Sequence, residues 1–251
     1  MKTSAFFLFF LLGIGYVYGQ GVKKQEPRTI LFVHGAWGGG WEYKTIDSIL
    51  TARGDVVYRP TMTGLGERVH LANPAISLKT HIDDIVNVFR FEDLHNVILV
   101  GHSYGGMVIS GVAEQVPERI SKLIYLDAFV PDNGESVYIS LGPNGDATTK
   151  PFTKDGFVNY FFGPTKPTPP TDVPQPLKTF TEPLVIANPT VKKISTSYIL
   201  MTQNADVQKA GFAPFAKKAK QRGWQVLTLE GGHYAMRDQP VELLKILEKC
   251  N

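Results

Sequence analysis

Ser103 stands in the stretch Gly101-His102-Ser103-Tyr104-Gly105-Gly106, directly after the apolar run Val97-Ile98-Leu99-Val100. A serine oxygen reaches a carbonyl carbon only where the backbone turns sharply enough to lift it clear of a sheet, and such a turn crowds its neighbours. Gly101 and Gly105, lacking Cβ, suit that crowding. A hydroxyl is a weak nucleophile near neutral pH, so the serine needs a base, commonly a histidine held by a carboxylate. Of the six histidines, His233 is the candidate base, because Gly231 and Gly232 provide a tight turn after the apolar run ending at Leu229. His34 and His102 lie within glycine-containing turns and are expected to be structural or to wall a pocket, while His70, His81 and His95 fall in loop or helix-surface contexts. Two carboxylates compete as the acid. Asp206 follows the run Tyr198 to Gln203 and gives the chain order Ser, acid, His that this arrangement takes on a parallel sheet; Asp127 ends the run Tyr125-Leu126 and can approach the ring from the other side. Chain order favours Asp206, with Asp127 the rival.

Attack on a carbonyl also creates an oxyanion that needs donors. The backbone N–H of Tyr104, at the start of the helix expected after the serine, is one candidate. The turn His34-Gly35-Ala36-Trp37-Gly38-Gly39-Gly40-Trp41 offers the N–H of Ala36 as the second. A glycine-rich turn after a strand can also cradle phosphate, but neither G-x-G-x-x-G nor a G-K-[ST] ending is present. Taken together, these residues point to two-step acyl transfer through an acyl-enzyme, with no metal and no cofactor. Trp37, Met107, Phe129 and the aromatics between Phe152 and Phe162 are the expected pocket walls, which suits a small to medium apolar ester as the small-molecule substrate.

These groups must be delivered by elements. Thr29 to Val33, Val56 to Tyr58, Val97 to Val100, Leu123 to Leu126, Tyr198 to Met201 and Gln225 to Leu229 read as six short buried strands. Helical periodicity lies between them at Glu42–Arg53, Leu78–Phe91, Gly106–Val116, Gln208–Arg222 and Val241–Glu248. Repeated alternation of this kind predicts an α/β fold with a mainly parallel six-stranded sheet covered by helices on both faces. The segment from about 131 to 193 breaks the rhythm. It is rich in proline and glycine yet carries many aromatics, so it is expected to be an inserted cap rather than a linker.

The chain has 251 residues, 26 Lys plus Arg and 23 Asp plus Glu. Residues 1–19 carry one lysine followed by a short apolar run and a small residue at Gly19, the pattern of a secretory signal peptide. The domain is then expected over 20–251, secreted, with no stable membrane association after cleavage. Loss of Lys2 leaves 25 cations against 23 anions, a net +2 too small to imply nucleic acid as a partner. The single cysteine, Cys250, allows no internal disulfide, so stability must come from the core.

Beyond the serine elbow, the stretches HGAWGGGW (34–41), TGLGER (63–68), GHSYGGMV (101–108), YLDAFVP (125–131) and PLKTFTEPL (176–184) make the chain resemble the α/β-hydrolase superfamily. Within it, the likeness is to bacterial serine esterases related to plant methylesterases and hydroxynitrile lyases. That resemblance implies an esterase with Ser103 as nucleophile, His233 as base, Ala36 and Tyr104 as oxyanion hole, a cap and no cofactor. Two departures matter. Plant hydroxynitrile lyases carry lysine directly after the catalytic histidine, where this chain has Tyr234, which disfavours carbon–carbon lyase action; and the Gln203-Asn204-Ala205-Asp206 turn matches the family only loosely, which keeps Asp127 in contention. A slow-turnover ligand receptor is the remaining alternative.

Overall fold

The structure is a computed structural model that describes residues 26–203 and 210–250. The signal segment and Asp206 lie outside the described residues. Six strands form one sheet: β1 (Thr29–Val33), β2 (Val56–Tyr58), β3 (Val97–His102), β4 (Ile120–Leu126), β8 (Ser195–Thr202) and β9 (Gln225–Glu230). Their order is β2-β1-β3-β4-β8-β9, and every pairing is parallel. The chain leaves β1 toward one edge and then returns to its other side for β3. A crevice therefore opens beyond the carboxyl ends of β1 and β3, where the strand order reverses and parallel sheets bind ligands.

The central strands β1, β3, β4 and β8 are largely buried on both faces, which explains why they read as apolar runs rather than alternating ones. Leu31, Val33, Leu99, Leu123, Tyr125, Tyr198 and Leu200 point to one face, against α2 (Leu78–Phe91), α3 (Gly105–Gln115) and α6 (Ala213–Gln221). Ile30, Phe32, Val100, Ile124, Leu126, Ile199 and Met201 point to the other, against α1 (Lys44–Ala52), α7 (Ala235–Asp238) and α8 (Pro240–Leu247). Helix α2 matches its expected limits because Ser77 and Thr80 close a reciprocal capping box at its start. The helix expected from Glu42 begins instead at Lys44, after a 3-10 turn over Gly40–Tyr43. Among the described residues, no helix is long and apolar enough to cross a membrane.

The insertion between β4 and β8 has its own small architecture. Helix α4 (Val137–Ser140) is followed by an antiparallel sheet of β5 (Thr153–Lys154), β6 (Phe157–Val158) and β7 (Gln175–Pro176), and then by α5 (Lys178–Thr181). Trp37 fastens this cap to the core. Its ring meets Tyr160, Phe161, Phe162 and Phe180 edge-on at centroid distances of 5.4–5.8 Å. Its indole N–H donates to the Val158 carbonyl at 2.8 Å, so the buried ring leaves no polar atom unpaired.

Candidate active site

Ser103 is the first residue after β3 and adopts φ +53, a left-handed backbone that costs a non-glycine residue on the order of 1 kcal/mol. The surroundings hold it there. Its N–H donates to the Leu126 carbonyl at 3.2 Å, and its own carbonyl accepts from Phe129 N–H at 3.1 Å, so the elbow is bound to the end of the neighbouring strand. The flanking glycines are required by contact. A Cβ on Gly105 would stand 2.7 Å from the Val33 carbonyl oxygen and 2.9 Å from that of His34; one on Gly101 would stand 2.7 Å from the Gly105 oxygen.

The residue at the end of β4 is Asp127, also left-handed at φ +43. Its Oδ2 lies 2.6 Å from His233 Nδ1, and its Oδ1 accepts from Met201 N–H at 3.1 Å. A carboxylate can only accept, so His233 carries a proton on Nδ1, and it is Nε2 that the neutral ring would offer as a base. The carboxylate side chain is 6% exposed and the imidazole 28%, which places the acid behind the ring and the ring at the site. Phe212 stacks on the imidazole at 4.9 Å and 10°. On the other side His102, with its ring 4.4 Å from that of His233, donates from Nε2 to the His233 carbonyl at 2.9 Å. His102 thereby straps the turn that presents the base, and burial holds it well below the ordinary histidine range. Of the two acids weighed from the sequence, Asp127 bonds the ring, and Asp206 lies outside the described residues.

The oxyanion donors are shaped by His34. Its Nδ1–H donates to the Gly35 carbonyl at 2.7 Å, and its Nε2 accepts from Met62 N–H at 3.1 Å. The Gly35 carbonyl and the Ala36 N–H share one planar trans peptide and point in opposite directions, so gripping the carbonyl aims the N–H. Desolvation drops the His34 pKa to about 4, which keeps the ring neutral with one donor and one acceptor as these bonds demand. Among the described residues, neither Ala36 N–H nor Tyr104 N–H donates to a protein acceptor. Tyr104 immediately precedes α3, whose amino terminus adds a partial positive charge at this point.

Trp37 follows Ala36 at φ +63 and serves as the cap fastener described above. Met107 is fully buried within α3, and Phe129 packs on Phe212 and Phe215 at 5.4 and 4.9 Å. Through Phe212, Phe129 is one ring removed from His233. A cleft of about 610 Å³ lies elsewhere, between the far half of α3, residues 186–194 and Trp224.

Several residues of this neighbourhood carried no advance signal. His81, expected on a helix surface, is wholly buried, with Nδ1 3.0 Å from the Tyr104 hydroxyl and Nε2 3.0 Å from the Thr63 carbonyl; its spacing within the apolar stripe of α2 was the available clue. Glu42 is buried beneath the glycine turn, 3.7 Å from Arg237. Loss of hydration there outweighs the pull of that guanidinium and pushes its carboxyl up to about 8.

Comparison with known proteins gives a consistent result. A model of the alpha/beta hydrolase family matches residues 30–246. A carbendazim hydrolyzing esterase of Nocardioides is 38% identical over 244 residues, covering 87% of this chain and 98% of its own length. Salicylic acid-binding protein 2 of Nicotiana tabacum is 29% identical over 110 residues, 43% of this chain and 42% of that one; the chain thus spans less than half of this plant relative. Among solved structures, an extracellular alpha/beta-hydrolase from Paenibacillus superposes with a TM-score of 0.76 at 22% identity, covering 90% of this chain and 99% of the other. At that identity the likeness speaks for the fold, and with the family match and the Nocardioides relative it leads to one conclusion: the chain belongs to the alpha/beta hydrolase family.

Proposed function

We propose that the protein is a serine carboxylesterase that cleaves a small to medium apolar ester, with Ser103 as nucleophile, His233 as base, Asp127 as orienting acid and the N–H groups of Ala36 and Tyr104 as oxyanion hole. The observation that carries this reading is the short bond from His233 Nδ1 to Asp127, which leaves Nε2 free to accept a proton at the strand ends where Ser103 projects. His233 removes the Ser103 proton as Oγ bonds to the ester carbonyl carbon, and the two N–H groups receive the oxyanion. The alkoxide leaves with the proton from imidazolium, and water, activated by the same nitrogen, then releases the acid and restores Ser103. Tyr234 weighs against lyase chemistry, because burial raises its hydroxyl and keeps it neutral. We further propose that residues 1–19 direct export.

The test is hydrolysis of a p-nitrophenyl ester series of increasing acyl length, with carbendazim, on which the Nocardioides relative is named to act, as an additional substrate. Turnover by the mature protein and its loss in folded Ser103→Ala are expected. Equal rates in the two proteins would overturn the reading.

A further inference from the structure

The cap is tied to the glycine turn that carries Ala36 through a buried chain of hydrogen bonds. Gln175, wholly buried in β7 of the cap, accepts from Trp37 N–H at 3.0 Å through Oε1. Its Nε2 donates to Thr179 Oγ1 at 2.7 Å, and Thr179 lies 2.7 Å from the Pro176 carbonyl it donates to. The Tyr104 hydroxyl, near Thr179, bonds His81 instead. The proton directions are largely forced. The Thr63 carbonyl can only accept, so His81 donates from Nε2; burial holds that ring near a pKa of about 4, so its Nδ1 is bare and the Tyr104 hydroxyl must donate to it.

This chain ends at Trp37, the residue directly after Ala36. Trp37 sits in a left-handed conformation that persists only if its surroundings fix it. Both of its backbone groups are fixed by the cap: the N–H by Gln175, and the carbonyl by Val173 N–H at 2.9 Å. The Ala36–Trp37 peptide is therefore locked by Gln175 and preceded by the Gly35–Ala36 peptide that His34 grips. Releasing Gln175 frees the first of these and leaves the second held by His34 alone.

We propose that Gln175 is a positioning residue of the oxyanion hole, coupling the seating of the cap to the aim of the Ala36 N–H. This rests on the esterase reading given above. Donors displaced by about 1 Å lose most of their effect on the transition state while the substrate's apolar contacts persist. The loss should therefore fall on kcat rather than KM.

The experiment compares wild type, Ser103→Ala, Gln175→Met and Thr179→Val on p-nitrophenyl acetate, with folding checked by circular dichroism. Gln175→Met removes both amide bonds at nearly constant volume, and kcat should fall by about 10- to 100-fold with KM within about twofold. Thr179→Val, which spares the Trp37 bond, should lose less and again in kcat alone. Affinity for an aryl trifluoromethyl ketone, whose Ser103 adduct carries an oxyanion, should fall in step with kcat. If Gln175→Met does not fold, Thr179→Val carries the test. Wild-type kcat in the folded variants, or a loss confined to KM, would overturn the inference alone. An inert wild type, or equal rates in wild type and Ser103→Ala, would overturn the esterase reading and the inference with it.

Discussion

Asp127→Asn separates the two candidate acids, and the structure determines how it should act. Asp127 uses one oxygen for Met201 N–H and the other for His233 Nδ1–H. An asparagine has a single carbonyl oxygen, and the fixed backbone donor at Met201 claims it. The NH2 group is then turned toward His233, where two donors cannot face each other, so imidazole must present a bare Nδ1 and move its proton to Nε2. That tautomer cannot take a proton from Ser103. Loss of the correct tautomer costs about 10⁴ in kcat in serine hydrolases of this logic, equivalent to roughly 5 kcal/mol at about 1.4 kcal/mol per decade. The assay is steady-state hydrolysis of a p-nitrophenyl ester by Asp127→Asn and Asp206→Asn, with melting temperatures measured in parallel. Asp206→Asn should stay within about threefold of wild type on this scale. A folded Asp127→Asn within tenfold of wild type, together with a collapse in Asp206→Asn, would refute the tautomer reasoning and return the role to Asp206.

Stability should peak near pH 6.5. His34 and His81 are held neutral with pKa values of about 4, so the unfolded chain binds more protons below 6.5, and stability falls as pH drops from there toward 4. Glu42, raised to about 8, acts oppositely, and its contribution is lost as pH rises from 4.5 to 8. Each proton is worth about 1.4 kcal/mol per pH unit over its window; a melting temperature flat from pH 5 to 8 would contradict this. Gly105→Ala forces a methyl against the Val33 and His34 carbonyls and should cost about 1–3 kcal/mol, read as a lower melting temperature, whereas an unchanged one would show that the elbow can relax. For export, protein recovered outside a secreting host should begin at Gln20, and an amino terminus at Met1 would count against the signal reading.

The sheet was legible because parallel strands buried on both faces leave apolar runs that no surface helix shares, and the two glycine turns marked where β1 and β3 end. The elbow was legible for a related reason, since only glycine tolerates the approach of α3 to the Val33 carbonyl. The acid was harder. Asp127 and Asp206 both follow strands, and local sequence does not say that the residue after β4 reaches past β8 to the turn that follows β9. The cap relay was hidden for a similar reason. Gln175 acts on a residue 138 positions away, and a lone glutamine in a proline-rich stretch has no periodicity to betray it. His81 reads as a surface residue because a polar side chain on an amphipathic helix is read as solvated, whereas here the Thr63 carbonyl and the Tyr104 hydroxyl replace water.

Trp37, Ser103 and Asp127 share a left-handed backbone, each just beyond the carboxyl end of a different adjacent strand. An L-residue there costs on the order of 1 kcal/mol, and glycine would cost less. Under the proposed mechanism, glycine at Ser103 or Asp127 would also remove the nucleophile or the acid. The three positions that define the site are thus the ones where selection for a robust fold and selection for turnover pull apart, and a lineage released from the second would be expected to lose its reactive side chains here before its core decayed.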